Sequence, residues 1–254
     1  MITAGVVILA GSFSLLAAPL LIAAYAASGH FPRKTPFSLC AGLALSFVLM
    51  FAQAAHIGYA LDAWQPVDLV GYRLVVFAAP GLFFLFGRAI ALPDQPPTLR
   101  LVIHLLPMAL PLFLPIGIAL PLLLLLGFCY ALWFTRLVYQ LRGEQKYRVF
   151  ELAFVACIAA SAAVVLGFGI WGALGDWSIF YAVYAGSIAI AYCLVIFALA
   201  AYPDFVQAMF QATRDRYSTT TLTGVDVSAA REALQRLMGE GIYADETLTL
   251  GALA

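Results

Sequence analysis

Glutamine, histidine and tyrosine recur at helical spacing inside segments that otherwise hold almost no polar groups. Gln53, His56 and Ala60 share one face of an apolar run, and Tyr59 stands close by. Asp62, Asp68, Tyr72 and Arg73 follow at its polar edge. In a later run Tyr181, Tyr184 and Ser187 recur every three residues, and Trp171 approaches from the run before it. Polar groups are costly in hydrocarbon, so residues of this kind are functional or paired. Gln53, His56, Tyr59, Arg73, Trp171, Tyr181, Tyr184 and Ser187 can line a ligand pocket open to the outside, with apolar walls and a few donors and acceptors. The alternative is that they hydrogen-bond one another and hold helices together. A second group, Arg88, His104, Arg136, Arg148 and Glu151, falls near the opposite ends of the runs. Glu151 follows Arg148 by three residues, the spacing of a local ion pair. This group can form a cytosolic latch that an external ligand loosens. Its alternative role is as a set of interfacial anchors whose charged heads reach water.

Sharper chemistries fail on the residues present. A retinal Schiff base needs a lysine within a span, and the only lysines, Lys34 and Lys146, fall in loops. A membrane haem needs two histidines at similar depth. His56 lies about 9 Å from the outer end of its run and His104 about 6 Å from the inner end of its own, at about 1.5 Å per residue. Across a core of about 30 Å they cannot share one iron. No nucleophile elbow, phosphate loop or HExxH motif occurs. Cys40, Cys129, Cys157 and Cys193 all lie in apolar runs without metal-ligand spacing, as small buried hydrophobes do. No catalytic residue, metal or cofactor is expected.

Composition sets the class. The chain is 64% hydrophobic and 10% charged, against roughly 45–50% and about 25% in soluble domains. Net charge is zero, so no global field draws nucleic acid. A span needs about 20 apolar residues. Seven runs qualify: Ile2–Ser28, Phe37–Leu61, Leu69–Leu92, Leu101–Ile116, Ile118–Leu141, Tyr147–Leu174 and Ser178–Tyr202. The fourth is short and carries Pro107 and Pro111, which remove helical hydrogen bonds. The first resembles a secretory signal but has no Lys or Arg before it and exceeds the usual apolar length.

Basic residues orient the chain. Arg33, Lys34, Arg88, Arg100, Arg136, Arg142, Lys146, Arg148, Arg214, Arg216, Arg231 and Arg236 fall on one side, and Arg73 alone on the other with Asp62, Asp68 and Asp176. The positive side is cytosolic, which puts the amino terminus outside and the carboxy terminus inside. Trp64 and Trp177 mark the outer boundary. The expected fold is therefore an all-α polytopic membrane protein. A seven-transmembrane-helix bundle over residues 1–202 carries a short helical cytosolic tail.

The tail divides in two. Residues 203–225 read as a juxtamembrane helix, with Phe205, Val206, Met209 and Phe210 on one face, and a polar linker, Tyr217–Gly224. Residues 226–254 begin with a helix at about Ser228–Met238, capped by Asp226 or Ser228 and ended by Gly239 and Gly241.

The string Leu237-Met238, Tyr243-Ala244-Asp245, Leu248-Thr249-Leu250 and Leu253-Ala254 resembles the entry of an AraC-type DNA-binding domain. In that family such a pattern leads into the first helix-turn-helix. Several spans followed by this entry resemble the membrane-embedded AraC-type transcriptional regulators of bacteria. The match covers about twenty residues and stops within the first helix, before any recognition helix. The resemblance implies a sensor in the bacterial inner membrane that relays a small-molecule or membrane signal. It also implies DNA binding only through a downstream region, and a homodimer. A small-molecule transporter or an accessory membrane subunit is the other function class compatible with the spans.

Overall fold

The computed structural model describes residues 2–27, 36–92, 97–141, 148–175 and 177–201. Arg33, Lys34, Arg142, Lys146, Asp176 and everything after residue 201 lie outside the described residues, as do the side chains of Arg148 and Glu151. The expected tail helices and linker therefore fall outside it too. The chain divides into two units, Met1–Ala212 and Thr213–Ala254; only the first contains described residues.

Among the described residues every regular element is helical. They are α1 (Ile2–Ala27), α2 (Pro36–Ala60), a short 3-10 turn (Pro66–Asp68), α3 (Val70–Phe77), α4 (Ala79–Ala91), a 3-10 helix (Leu99–Ala109), α5 (Leu110–Phe113), α6 (Ile116–Leu141), α7 (Arg148–Ala173) and α8 (Trp177–Ala201). Six segments are long and apolar enough to cross a membrane: Ile2–Ala24, Pro36–Ala60, Val70–Ala91, Ile116–Tyr139, Leu152–Ala173 and Trp177–Phe197. Side chains such as Leu9, Leu20, Phe47 and Phe197 stay exposed on their outer faces, as lipid-facing residues do.

Neighbouring helices close into a ring in the order α1, α2, α4, α6, α7, α8 and back to α1. α2 runs antiparallel to α3 and α4. Gly42 faces Phe86, Val48 packs with Ala78 and Ala79, and His56 meets Tyr72. α4 and α6 run parallel. Pro80 sits at Gly127, Phe84 at Tyr130 and Trp133, and Gly87 at Phe134. One end of the bundle carries Asp68 and the other carries Arg88.

Two segments depart from regular α-helix, and proline accounts for both. The third apolar run breaks at Ala78, whose N–H bonds Val75 at 3.1 Å, three residues back. Pro80 follows; it has no N–H, and its ring crowds the carbonyl four residues earlier. The fourth run was expected as an α-helical span over Leu101–Ile116. It is instead an eleven-residue 3-10 helix followed by the four-residue α5. Pro107 and Pro111 each delete an α-helical donor here. Runs of 3-10 helix longer than three or four residues are uncommon. A Cβ placed on Gly81 would collide with the carbonyl oxygen of His104. That carbonyl's natural 3-10 partner is the missing N–H of Pro107, so the glycine admits an otherwise awkward group at the face of α4.

Candidate functional site

The end of α2 is built first. Asp62 takes the left-handed conformation, φ 56°, which aspartate tolerates better than most residues. The N–H of Asp62 bonds Tyr59 at 2.9 Å and that of Ala63 bonds Gly58 at 2.9 Å, the paired closure of a Schellman cap. The chain then folds back. Trp64 lays its indole over Gly58, where a Cβ would overlap it, and its Nε1 donates to the Ala55 carbonyl at 3.2 Å. The short 3-10 turn Pro66–Asp68 follows, with Pro66 and Val67 buried. These features fix the last two turns of α2 and the start of α3 against one another.

That frame encloses the polar cluster. Gln53 and His56 are one helical turn apart on α2, and Tyr181 faces them from α8; all three are 0% exposed. His56 Nε2 and the Tyr72 hydroxyl lie 2.6 Å apart. The His56 ring is tilted on Tyr181 at 4.6 Å and meets Tyr184 edge-on at 5.3 Å. Tyr59 stands edge-on to Tyr181 at 4.7 Å. Phe180 and Trp177 extend the aromatic wall along α8, and Val7, Ala119 and Leu123 complete the core around it.

Several polar atoms in this wall have no partner. Both amide atoms of Gln53, the Nδ1 of His56 and the hydroxyl of Tyr181 are buried without a hydrogen bond. Buried polar atoms are nearly always paired, and each exception calls for an explanation. The helix-stapling alternative is thus realised for His56 with Tyr72. It is not realised for Gln53, which bonds neither His56 nor any other residue.

The eight residues read from sequence fare unequally. Gln53, His56, Tyr59, Tyr181 and Tyr184 come together. Arg73 is half-buried on α3 with its Nε enclosed and unpaired. Ser187 lies one turn beyond Tyr184 on α8, half-buried. Trp171 is 58% exposed on α7. Trp177 occupies the place expected for it. Tyr72 was visible only as a residue at the polar edge, and its bond to His56 makes it part of the centre. A tyrosine just inside the third run was the available signal.

Of the second group, the side chains of Arg88, His104 and Arg136 are described. His104 Nδ1 lies 2.7 Å from the Tyr130 hydroxyl, and its ring rests on Phe84 at 3.9 Å. Arg136 is exposed late in α6, and Arg88 is half-buried in α4. Tyr130 was not legible as the partner, because it sits mid-run in α6 without a polar neighbour at helical spacing. Among the described residues no three metal-ligating side chains converge. Compared with known protein families, curated proteins and solved structures, the chain matches none.

Proposed function

We propose that this chain is the membrane-embedded sensory domain of a bacterial transcriptional regulator, with an occupant of the Gln53–His56–Tyr181 cluster as its signal. The observation that carries the reading is the set of fully buried, unpaired polar atoms on facing helices. A bundle that only spans has no use for them. A receptor keeps such groups ready for a ligand, at a cost in its own stability.

The proposed topology has seven crossings, an outer amino terminus and a cytosolic tail. The parallel run of α4 and α6 supports the odd count, since the chain must return between them. Leu101 and Leu105 pack against the cluster of Ala41, Phe84 and Leu85, while Leu110 and Leu114 pack against the separate core cluster that holds Tyr72 and Tyr181. Eleven residues at about 2.0 Å and four at about 1.5 Å reach about 28 Å, close to a hydrocarbon core of about 30 Å. With that return, Arg88, Arg100 and Arg136 share a side with Arg33 and Lys34, in keeping with positive-inside charge. The tail string from Leu237 to Ala254 supports the AraC-type output, reached through α8 and the segment that follows it.

The test is transcript profiling of cells lacking the gene, complemented with wild type, Gln53→Leu or His56→Ala. A confined gene set should be restored by wild type and mis-set by both variants, with all three inserted at equal levels. An unchanged transcriptome would remove the sensor reading. A transporter is the second reading, favoured by the break at Ala78 and the 3-10 segment, since interrupted helices can mark a substrate path. Flux into vesicles containing the protein would select it.

A further inference from the structure

We infer that the Gln53–His56–Tyr181 cluster takes a small uncharged molecule that carries a hydrogen-bond donor and an acceptor. The inference rests on the site proposed above and names the chemistry of its occupant.

The polarity comes from the unpaired atoms. Gln53 offers one carbonyl oxygen and one NH2 group, both unpaired. A carboxamide with both ends free is met by a partner with a donor and an acceptor side by side, such as another amide. His56 extends the recognition. If the Tyr72 hydroxyl donates to Nε2, the proton sits on Nδ1 and Nδ1 is a donor. If Nε2 donates to Tyr72, Nδ1 is an acceptor. The Tyr181 hydroxyl can donate or accept. The set therefore reads a neutral molecule with both functions and adapts to their order.

Charge is excluded by the surroundings. The groups in contact with His56 are the aromatic rings of Tyr72, Tyr181 and Tyr184. Asp68 is near enough to Tyr181 to act on it electrostatically, and none of the rings in contact with His56 carries a charge. A charged ligand would leave water for these aromatic surroundings, which is strongly unfavourable. The neighbours are aromatic: Tyr59, Tyr181, Tyr184 and Trp177 pack on one another and on His56, and aromatic surroundings favour a guest with apolar edges.

Benzamide is the matching probe. Benzoate, benzylammonium and toluene keep its ring while adding negative charge, adding positive charge or removing the polar pair. Thermal unfolding of the full chain in lipid nanodiscs is the readout, with Trp177 fluorescence alongside it. Benzamide at millimolar concentration should raise the midpoint saturably by several degrees. The other three should not. Gln53→Leu should abolish the shift, and Tyr181→Phe, which keeps the ring, should weaken it several-fold. Equal shifts with toluene or with either ion would overturn the ligand class, as would no shift at all. A benzamide shift that survives in Gln53→Leu would overturn the site, and so would a high-resolution structure with only ordered water on Gln53 and His56. The two readings fail separately. Gln53-dependent benzamide binding with indifferent transcripts keeps the ligand class and removes the sensor. Transcripts that respond to Gln53→Leu while ions bind best keep the sensor and remove the ligand class.

Discussion

Two histidines in this bundle make the same bond and occupy different situations. His56 and His104 each meet a tyrosine hydroxyl, at 2.6 and 2.7 Å, and each rests on aromatic rings. Around His56 the polar demand exceeds the supply: Gln53, Nδ1 and the Tyr181 hydroxyl are left over. Around His104 no buried side-chain atom is left over, and the ring lies half-exposed beside Phe84. The pair at Tyr130 joins the 3-10 helix to α6. The pair at Tyr72 orients a ring whose other nitrogen is free to bind. One bond type thus leaves no buried polar atom over in one place and several in the other, and the proposed recognition rests on that surplus.

Five substitutions sharpen or break this contrast, and packing gives the largest effect. Gly81→Val drives a side chain into the His104 backbone. It should cost about 3 kcal/mol, the upper end of overpacking, and lower the thermal midpoint sharply. Gly71→Ala, which meets open space, should be near neutral in the same assay. Tyr72→Phe leaves His56 Nε2 buried and unpaired and should cost about 2 kcal/mol by the usual penalty for an orphaned group. Gln53→Leu should move the other way, raising stability by about 1 kcal/mol as an unpaired amide leaves the core, while signal response is lost. A stability loss there would mean that Gln53 has a structural partner, and the contrast with His104 would fall. Of the changes that remove a polar group, Tyr130→Phe is the smallest, about 0.6 kcal/mol, the average for polar contacts between membrane helices. It should leave signal response intact, as expected for an assembly contact.

The long elements were legible because hydropathy alone decides them. Six of the seven runs read from sequence correspond to helices long enough to cross, with bounds within a few residues. The fourth was legible as an anomaly, through Pro107 and Pro111. Its 3-10 form was not, because that depends on Gly81 accepting a carbonyl from another segment. Within the site, the spacing of Gln53, His56, Tyr181 and Tyr184 reveals a shared face. Which residues meet across helices is set by helix rotation, and nearly uniform apolar segments carry little information about rotation. Trp171 and Trp177 show the consequence. Both sit near the same turn between α7 and α8, and packing turns only the second towards Tyr181, at 6.3 Å.

The stretch between Leu99 and Phe113 has a bearing on biogenesis. As ordinary α-helix, fifteen residues reach about 22 Å, too little to cross by themselves. Its extra reach depends on neighbours, with Gly81 behind it on α4 and Tyr130 beside it on α6. A piece of chain that borrows its length in this way is a poor candidate for unaided insertion. It is expected to settle after α6 has been made, so that this corner of the bundle is completed out of the order in which it is translated.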